Sequence, residues 1–128
     1  MRIKEILEKI IEELKLLPFT EAIVLFGSHA KNKATSISDV DVCVIDNEKF
    51  PKEKRREVYQ YSTDKINISL FSDLPLYIKY EVFKGKLLFV KDKSNFRRLR
   101  ENITLEYLNK KWLWEDYFRR RKWSIQTK

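Results

Sequence analysis

The sequence has very few of the residues that mark specialised small folds. It contains two glycines, three prolines, one cysteine and one histidine in 128 residues. So little Gly and Pro excludes collagen-like and low-complexity chains. Cys43 cannot close a disulfide within its own chain, and a small domain without disulfides is typical of a reducing compartment. We therefore interpret Cys43 as a small buried hydrophobe in the apolar run Val40–Ile45.

Long hydrophobic runs are also missing. The N-terminus enters a charged amphipathic pattern directly, with neither the apolar block of a signal peptide nor about 20 apolar residues for a membrane span. We expect a cytoplasmic protein with no membrane partner. The length predicts a single domain over 1–128, with a core of about 1–92 and a helical extension over about 93–122. A hydrophobic content of 43% supports a packed core despite 36% charged residues.

Hydrophobic spacing predicts alternating helices and strands. Helices are expected over 3–16, 52–61, 75–83 and about 94–121, and strands over 22–26, 40–45, 65–71 and 86–90, the third near a sheet edge. The first part of 28–38 is compatible with a further short helix. Asp73 is interpreted as the cap of the third long helix. This order predicts an α/β or α+β fold with one small mixed sheet, flanking helices and a long C-terminal helix.

The C-terminal helix has more apolar surface than one face needs. One stripe comprises Phe96, Leu99, Ile103, Tyr107, Trp114 and Phe118, and Leu105, Leu108 and Trp112 lie off it. The second patch packs against a second subunit, a partner protein or the monomer itself. Residues 91–128 hold twelve Lys or Arg against five acids, which is +7 of the net charge of +8. A basic segment favours binding to a polyanion such as RNA, DNA or a nucleotide, or to an acidic partner. The alternative is an ordinary solvated helix end, where cations are favourable.

Two short segments are candidates for chemistry. Gly27 and Ser28 follow a buried strand, where a tight turn can present backbone amides to a phosphate or can be a turn only. Asp39 and Asp41 are two residues apart on the next strand, so they share a face while Val40, Val42 and Val44 share the other. Adjacent carboxylates repel unless a cation such as Mg²⁺ lies between them or solvent surrounds the strand end.

The segment from Gly27 to Val42 resembles, without a gap, the signature of the DNA polymerase β-like nucleotidyltransferase superfamily. It is most similar to the minimal nucleotidyltransferases. The resemblance implies that Gly27 and Ser28 hold the β- and γ-phosphates of a nucleoside triphosphate. It also places Lys31 and Ser38 among the nucleotide-binding residues. Lys31 replaces the signature's arginine, and Asn32 replaces its second glycine.

The resemblance further implies that Asp39 and Asp41 are catalytic and bind two Mg²⁺ ions. The family's third carboxylate lies on the next central strand, where this sequence has Asn67. An amide oxygen can contact a cation, but it carries no charge and cannot accept a proton from a hydroxyl.

The expected function is therefore Mg²⁺-dependent transfer of a nucleoside monophosphate, AMP from ATP, to an acceptor hydroxyl. The resemblance also implies an antitoxin role beside a HEPN-type toxin. The alternative is a degraded nucleotidyltransferase that acts by binding, as an antitoxin or a regulatory subunit. A homodimer through the C-terminal helix and RNA binding through its basic residues are further expectations.

Overall fold

The computed structural model describes residues 2–27, 39–47 and 51–126, except for the side chains at 52, 114, 117, 118 and 120–126. The described elements are α1 (Ile3–Leu14), β1 (Thr20–Phe26), β2 (Val40–Asp46), α2 (Arg55–Tyr59), β3 (Ile66–Leu70), α3 (Leu76–Val82), β4 (Lys86–Val90) and α4 (Lys93–Gln126). Short 3₁₀ turns cover Lys52–Lys54 and Phe71–Asp73. None of the helices in these ranges is both long and apolar enough to cross a membrane.

The four described strands form one mixed sheet in the order β3-β2-β1-β4. β1 pairs antiparallel with β2 and β4, whereas β2 and β3 are parallel. The predicted mixed sheet, and the position of the third strand at its edge, are confirmed. In this register Asp41 lies beside Phe26 on β1 and beside Asn67 on β3.

The two faces of the sheet are covered by different helices. Val40, Val42 and Val44 pack in a core with α1 and α2, whereas Cys43 and Ile45 pack in a second core with α3 and α4. Because side chains alternate along a strand, Asp39 and Asp41 belong to the α3 and α4 face. The predicted separation of the valines from the two aspartates is confirmed.

Some helix boundaries differ from those expected. α1 ends at Leu14, and the buried hydroxyl of Thr20 donates a hydrogen bond of 2.8 Å to the Leu14 carbonyl. This bond satisfies a carbonyl at the end of the helix and fixes the entry to β1. The helix expected over 52–61 is only Arg55–Tyr59, preceded by its 3₁₀ turn. α4 extends to Gln126, five residues beyond the expected end.

The prediction that Asp73 caps the third long helix is wrong. Pro75 is the residue before α3, and no side chain that the structure describes caps that helix. Asp73 instead accepts a 2.7 Å hydrogen bond from the Tyr59 hydroxyl and forms a 2.6 Å ion pair with Arg55. It therefore ties α2 to the 3₁₀ turn after β3, a tertiary role that local spacing does not reveal.

The glycine at position 85 lies where the backbone of the sheet approaches closely. A Cβ there would be 2.3 Å from the Leu25 carbonyl oxygen and 2.9 Å from a methyl group of Val24. Any larger residue would push β4 away from β1. Gly27 directly follows β1, so both glycines of the chain lie at the same end of that strand.

Candidate active site

The candidate site lies where β1 ends and β2 and β3 begin. Gly27 follows the last residue of β1, Asp39 immediately precedes β2, Asp41 is the second residue of β2, and Asn67 is the second residue of β3. Because β1 runs antiparallel to β2 and β2 runs parallel to β3, these positions meet at one end of the sheet. The topology thus brings together residues up to 40 positions apart.

Asn67 bridges the two carboxylates. Its amide nitrogen lies 3.4 Å from Oδ2 of Asp39 and 3.4 Å from Oδ1 of Asp41. Asp41 is half-buried, while Asp39 and Asn67 are exposed. A neutral donor placed between two like charges lowers their mutual repulsion, so the amide stabilises a carboxylate pair that would otherwise destabilise the sheet.

Gly27 packs directly against Asp41. Its backbone has a φ of +79°, and a Cβ built on it would be 2.7 Å from Oδ2 of Asp41. The left-handed backbone favours glycine, and a larger residue would also displace the Asp41 carboxylate. The turn after β1 and the aspartate on β2 are therefore parts of one arrangement, in which the glycine leaves room for the carboxylate.

Several predicted nucleotide-binding residues cannot be placed. Ser28, Lys31 and Ser38 lie outside the residues that the structure describes.

Asp73 follows β3, whereas Asn67 is near its beginning, so Asp73 lies at the opposite end of the strand from the site. Its contacts with Tyr59 and Arg55 also hold it there.

The side chains of Asp39, Asp41 and Asn67 offer oxygen atoms, which are the ligands that Mg²⁺ prefers. Among the described residues, no group of three or more His, Cys, Asp or Glu side chains is placed to hold a metal. Asp39 and Asp41 nevertheless offer two adjacent carboxylates, and rotation of the Asn67 amide would exchange its nitrogen for an oxygen. Mg²⁺ is commonly bound by one or two carboxylates together with phosphate oxygens, so these residues fit the ion.

The buried thiol below the site is not a nucleophile. Burial, and secondarily the charge of Asp46, raise the pKa of Cys43 far above its usual range. The thiol therefore stays protonated, and Cys43 is a core residue as predicted.

What sequence reasoning missed is the pair of contacts at the site, from Asn67 to both carboxylates and from Gly27 to Asp41. The resemblance implied that Asn67 lies beside the two aspartates, but its hydrogen bonds to both of them and the contact of Gly27 with Asp41 depend on strand register, which the spacing does not give.

Comparison with known sequences identifies two relatives in Methanocaldococcus jannaschii that are named as protein adenylyltransferases. MJ1547 is 38% identical over 68 residues, which cover 52% of this chain and 53% of that protein. MJ0126 is 37% identical over 68 residues, which cover 53% of this chain and 69% of that protein. The matched segment thus spans only about half the length of MJ1547.

Solved structures share the fold at low sequence identity. A toxin–antitoxin structure with AMP-PNP has a TM-score of 0.66 at 17% identity, covering 84% of this chain and 89% of that one. A complex of tri-AMPylated Shewanella oneidensis HEPN toxin with MNT antitoxin gives a TM-score of 0.57 at 18% identity, covering 80% and 82%.

The sequence profile of the family described as polymerase β nucleotidyltransferase matches residues 8–94. These residues include all four strands and the whole candidate site. The mixed sheet and the long C-terminal helix agree with the fold of the solved structures. The chain therefore belongs to the polymerase β nucleotidyltransferase family.

Proposed function

We propose that this protein is a Mg²⁺-dependent adenylyltransferase that moves AMP from ATP to a hydroxyl group of a protein. The observation that carries the proposal is the pair Asp39 and Asp41 at the end of the sheet, with Gly27 packed against Asp41. Family membership supports nucleotidyl transfer. The names of both archaeal relatives support AMP as the group and a protein as the acceptor.

Each residue has a distinct task in this reaction. The turn at Gly27 gives the triphosphate room next to Asp41, and Asp39 and Asp41 hold the metal ions. Bound Mg²⁺ neutralises phosphate charge and the charge that develops on the leaving pyrophosphate. The acceptor oxygen forms a bond to the α-phosphorus as the bond to pyrophosphate breaks. The hydroxyl proton passes to a carboxylate or to solvent, because an amide is not a base.

We further propose that the acceptor and partner is a HEPN-type toxin, which makes this chain an antitoxin. The support is the fold shared with the MNT antitoxin complexes, one of which contains AMPylated toxin. The basic C-terminal segment suits an acidic partner surface.

Asn67 favours a second candidate function, binding without catalysis. The family position of the third carboxylate holds an amide that already bonds to both aspartates. A protein with this site would retain the fold and the partner surface while transferring nothing. The two candidates differ in one measurable property, which is turnover of ATP.

The test is transfer of label from α-³²P-ATP to a HEPN-type toxin in the presence of MgCl₂. We expect labelled toxin with the unmodified protein and a loss of at least about 100-fold with Asp41→Asn. Asp92→Asn is the matched control, because it removes the same charge at the other end of the sheet and asparagine also caps helices. Labelling by Asn67→Asp alone, with the unmodified protein silent, would instead support the binding-only function.

A further inference from the structure

The exposed apolar side chains of α4 form a continuous stripe. Leu105, Leu108 and Trp112 are 62%, 47% and 68% exposed. At 100° per residue they lie within about 60° of one another around the helix axis. Ile103, which is buried in the core against the sheet, lies almost opposite. The stripe therefore faces away from the domain that the helix packs on.

Two opposite charges continue this stripe at its ends. Glu101 and Arg119 are both exposed, and helical spacing places them on the same arc as Leu108 and Trp112. On the arc of the stripe itself, the charged residue before the apolar part is Glu101 and the charged residue after it is Arg119. Two copies of this stripe therefore place Glu101 opposite Arg119 when the two helices run in opposite directions.

We propose that a second copy of this chain covers the stripe, with the two α4 helices antiparallel and a two-fold axis near Lys110. In this arrangement Leu108 of each copy lies opposite Trp112 of the other. Glu101 of each copy lies opposite Arg119 of the other, so these two charges attract each other across the pair. A parallel pair in register would place Glu101 against Glu101 and Arg119 against Arg119, which repel.

The contacts that the structure describes between α4 and its own domain lie away from the stripe. α4 contacts its own domain through Phe96, Leu99 and Ile103, and Tyr107 stacks on Tyr80 with ring centroids 4.0 Å apart. Ile103 lies on the opposite side of the helix, so a second helix on the stripe displaces none of these contacts of the described residues. The paired segment 101–119 is roughly 28 Å long.

A contact of this length lies at the small end of stable interfaces. The dimer should therefore dissociate measurably on dilution. Sedimentation equilibrium of the full chain over a range of concentrations tests the proposal, since it yields the dissociation constant directly.

Leu105→Glu and Leu113→Glu form a matched pair of variants. Both leucines are on α4 and similarly exposed, at 62% and 61%, but Leu113 lies about 80° or more from every apolar residue of the stripe. We expect Leu105→Glu to raise the dissociation constant at least about 30-fold, because a carboxylate replaces apolar contact in both copies. Leu113→Glu should change it by less than about 3-fold.

Charge reversal tests the antiparallel register. Glu101→Arg or Arg119→Glu alone should weaken the dimer about 5- to 10-fold, and the double variant should return to within about 3-fold of the unmodified protein. A monomer at every concentration, with the stripe protected only by another protein such as a toxin, would overturn the proposal. A dimer unaffected by Leu105→Glu would overturn it as well.

Discussion

Asn67 and Asp41 are register partners on adjacent parallel strands, and the amide nitrogen of Asn67 lies 3.4 Å from Oδ1 of Asp41. The same nitrogen lies 3.4 Å from Oδ2 of Asp39. The asparagine thus occupies the space beside both carboxylates and donates where a carboxylate would repel. We therefore expect the residue at position 67 to affect both the stability of this end of the sheet and its affinity for a cation.

Asn67→Asp should make stability depend on Mg²⁺. Without metal, a third carboxylate replaces a hydrogen-bond donor, so we expect a loss of about 1 kcal/mol, or about 4 °C in Tm. Added MgCl₂ should reverse the loss, since three carboxylates bind the ion more tightly than two. Thermal unfolding in EDTA and in MgCl₂ measures both effects. The control is Asn109→Asp, because Asn109 is exposed on α4. An equal response to MgCl₂ in that variant would show that the effect does not come from a cation bound at position 67.

Gly27→Ala should destabilise the fold by about 1 to 2 kcal/mol, through left-handed strain and contact with Asp41. In an Asp41→Ala background the carboxylate is gone, so only the backbone cost remains. Urea unfolding of the unmodified protein, both single variants and the double variant gives the coupling between the two positions. Equal cost of the glycine change in both backgrounds would show that the two residues do not interact.

Tyr59→Phe should lower stability at neutral pH by about 1 kcal/mol, because the hydroxyl bonds to Asp73 and accepts from the backbone of Leu70. Burial, and then the hydrogen bond to Asp73, raise the pKa of Tyr59. A raised pKa in the folded state means that this contribution is complete below the unfolded tyrosine pKa of about 10. It is lost as the pH rises through the folded pKa.

The difference in unfolding free energy between the unmodified protein and Tyr59→Phe should therefore shrink above about pH 10. Denaturant unfolding at pH 7, 9 and 11 measures it. Tyr77→Phe serves as the control, since Tyr77 is 61% exposed. A difference that grows with pH would mean that the phenolate, and not the phenol, is the form stabilised in the fold.

Cys43 should report global unfolding. Its side chain is fully buried and burial raises its pKa, so a thiol reagent should leave it unmodified in the native protein even at pH 8. In guanidinium chloride, reaction of one thiol per chain is expected. Rapid labelling of the native protein would contradict the buried position of β2.

The element order was predictable because hydrophobic spacing is local. The apolar runs from Ala22 to Phe26 and from Val40 to Ile45 identify buried strands without knowledge of their neighbours. The motif from Gly27 to Val42 then predicted the position of the candidate site. Helix ends were less predictable, because the end of α1 is fixed by Thr20, a residue in the following strand.

Tertiary contacts were not predictable from spacing. Asp73 lies two residues before Pro75 and has the pattern of a helix cap. In the structure it contacts Tyr59 and Arg55 and does not cap the helix. Asn67 was assigned to the third acidic position by its place in the strand, and its bridging of Asp39 and Asp41 follows only from the parallel register of β2 and β3. Such contacts depend on which strands become neighbours.

We propose that the end of the sheet at Asp39, Asp41 and Gly27 binds a nucleotide together with Mg²⁺. Isothermal titration of the full chain with AMP-PNP, in MgCl₂ and in EDTA, tests it without an acceptor. We predict one nucleotide per chain in MgCl₂, with affinity reduced at least about 10-fold in EDTA or in Asp41→Asn and unchanged in Asp92→Asn. Binding that is equal in MgCl₂ and EDTA, or unaffected by Asp41→Asn, would contradict the claim.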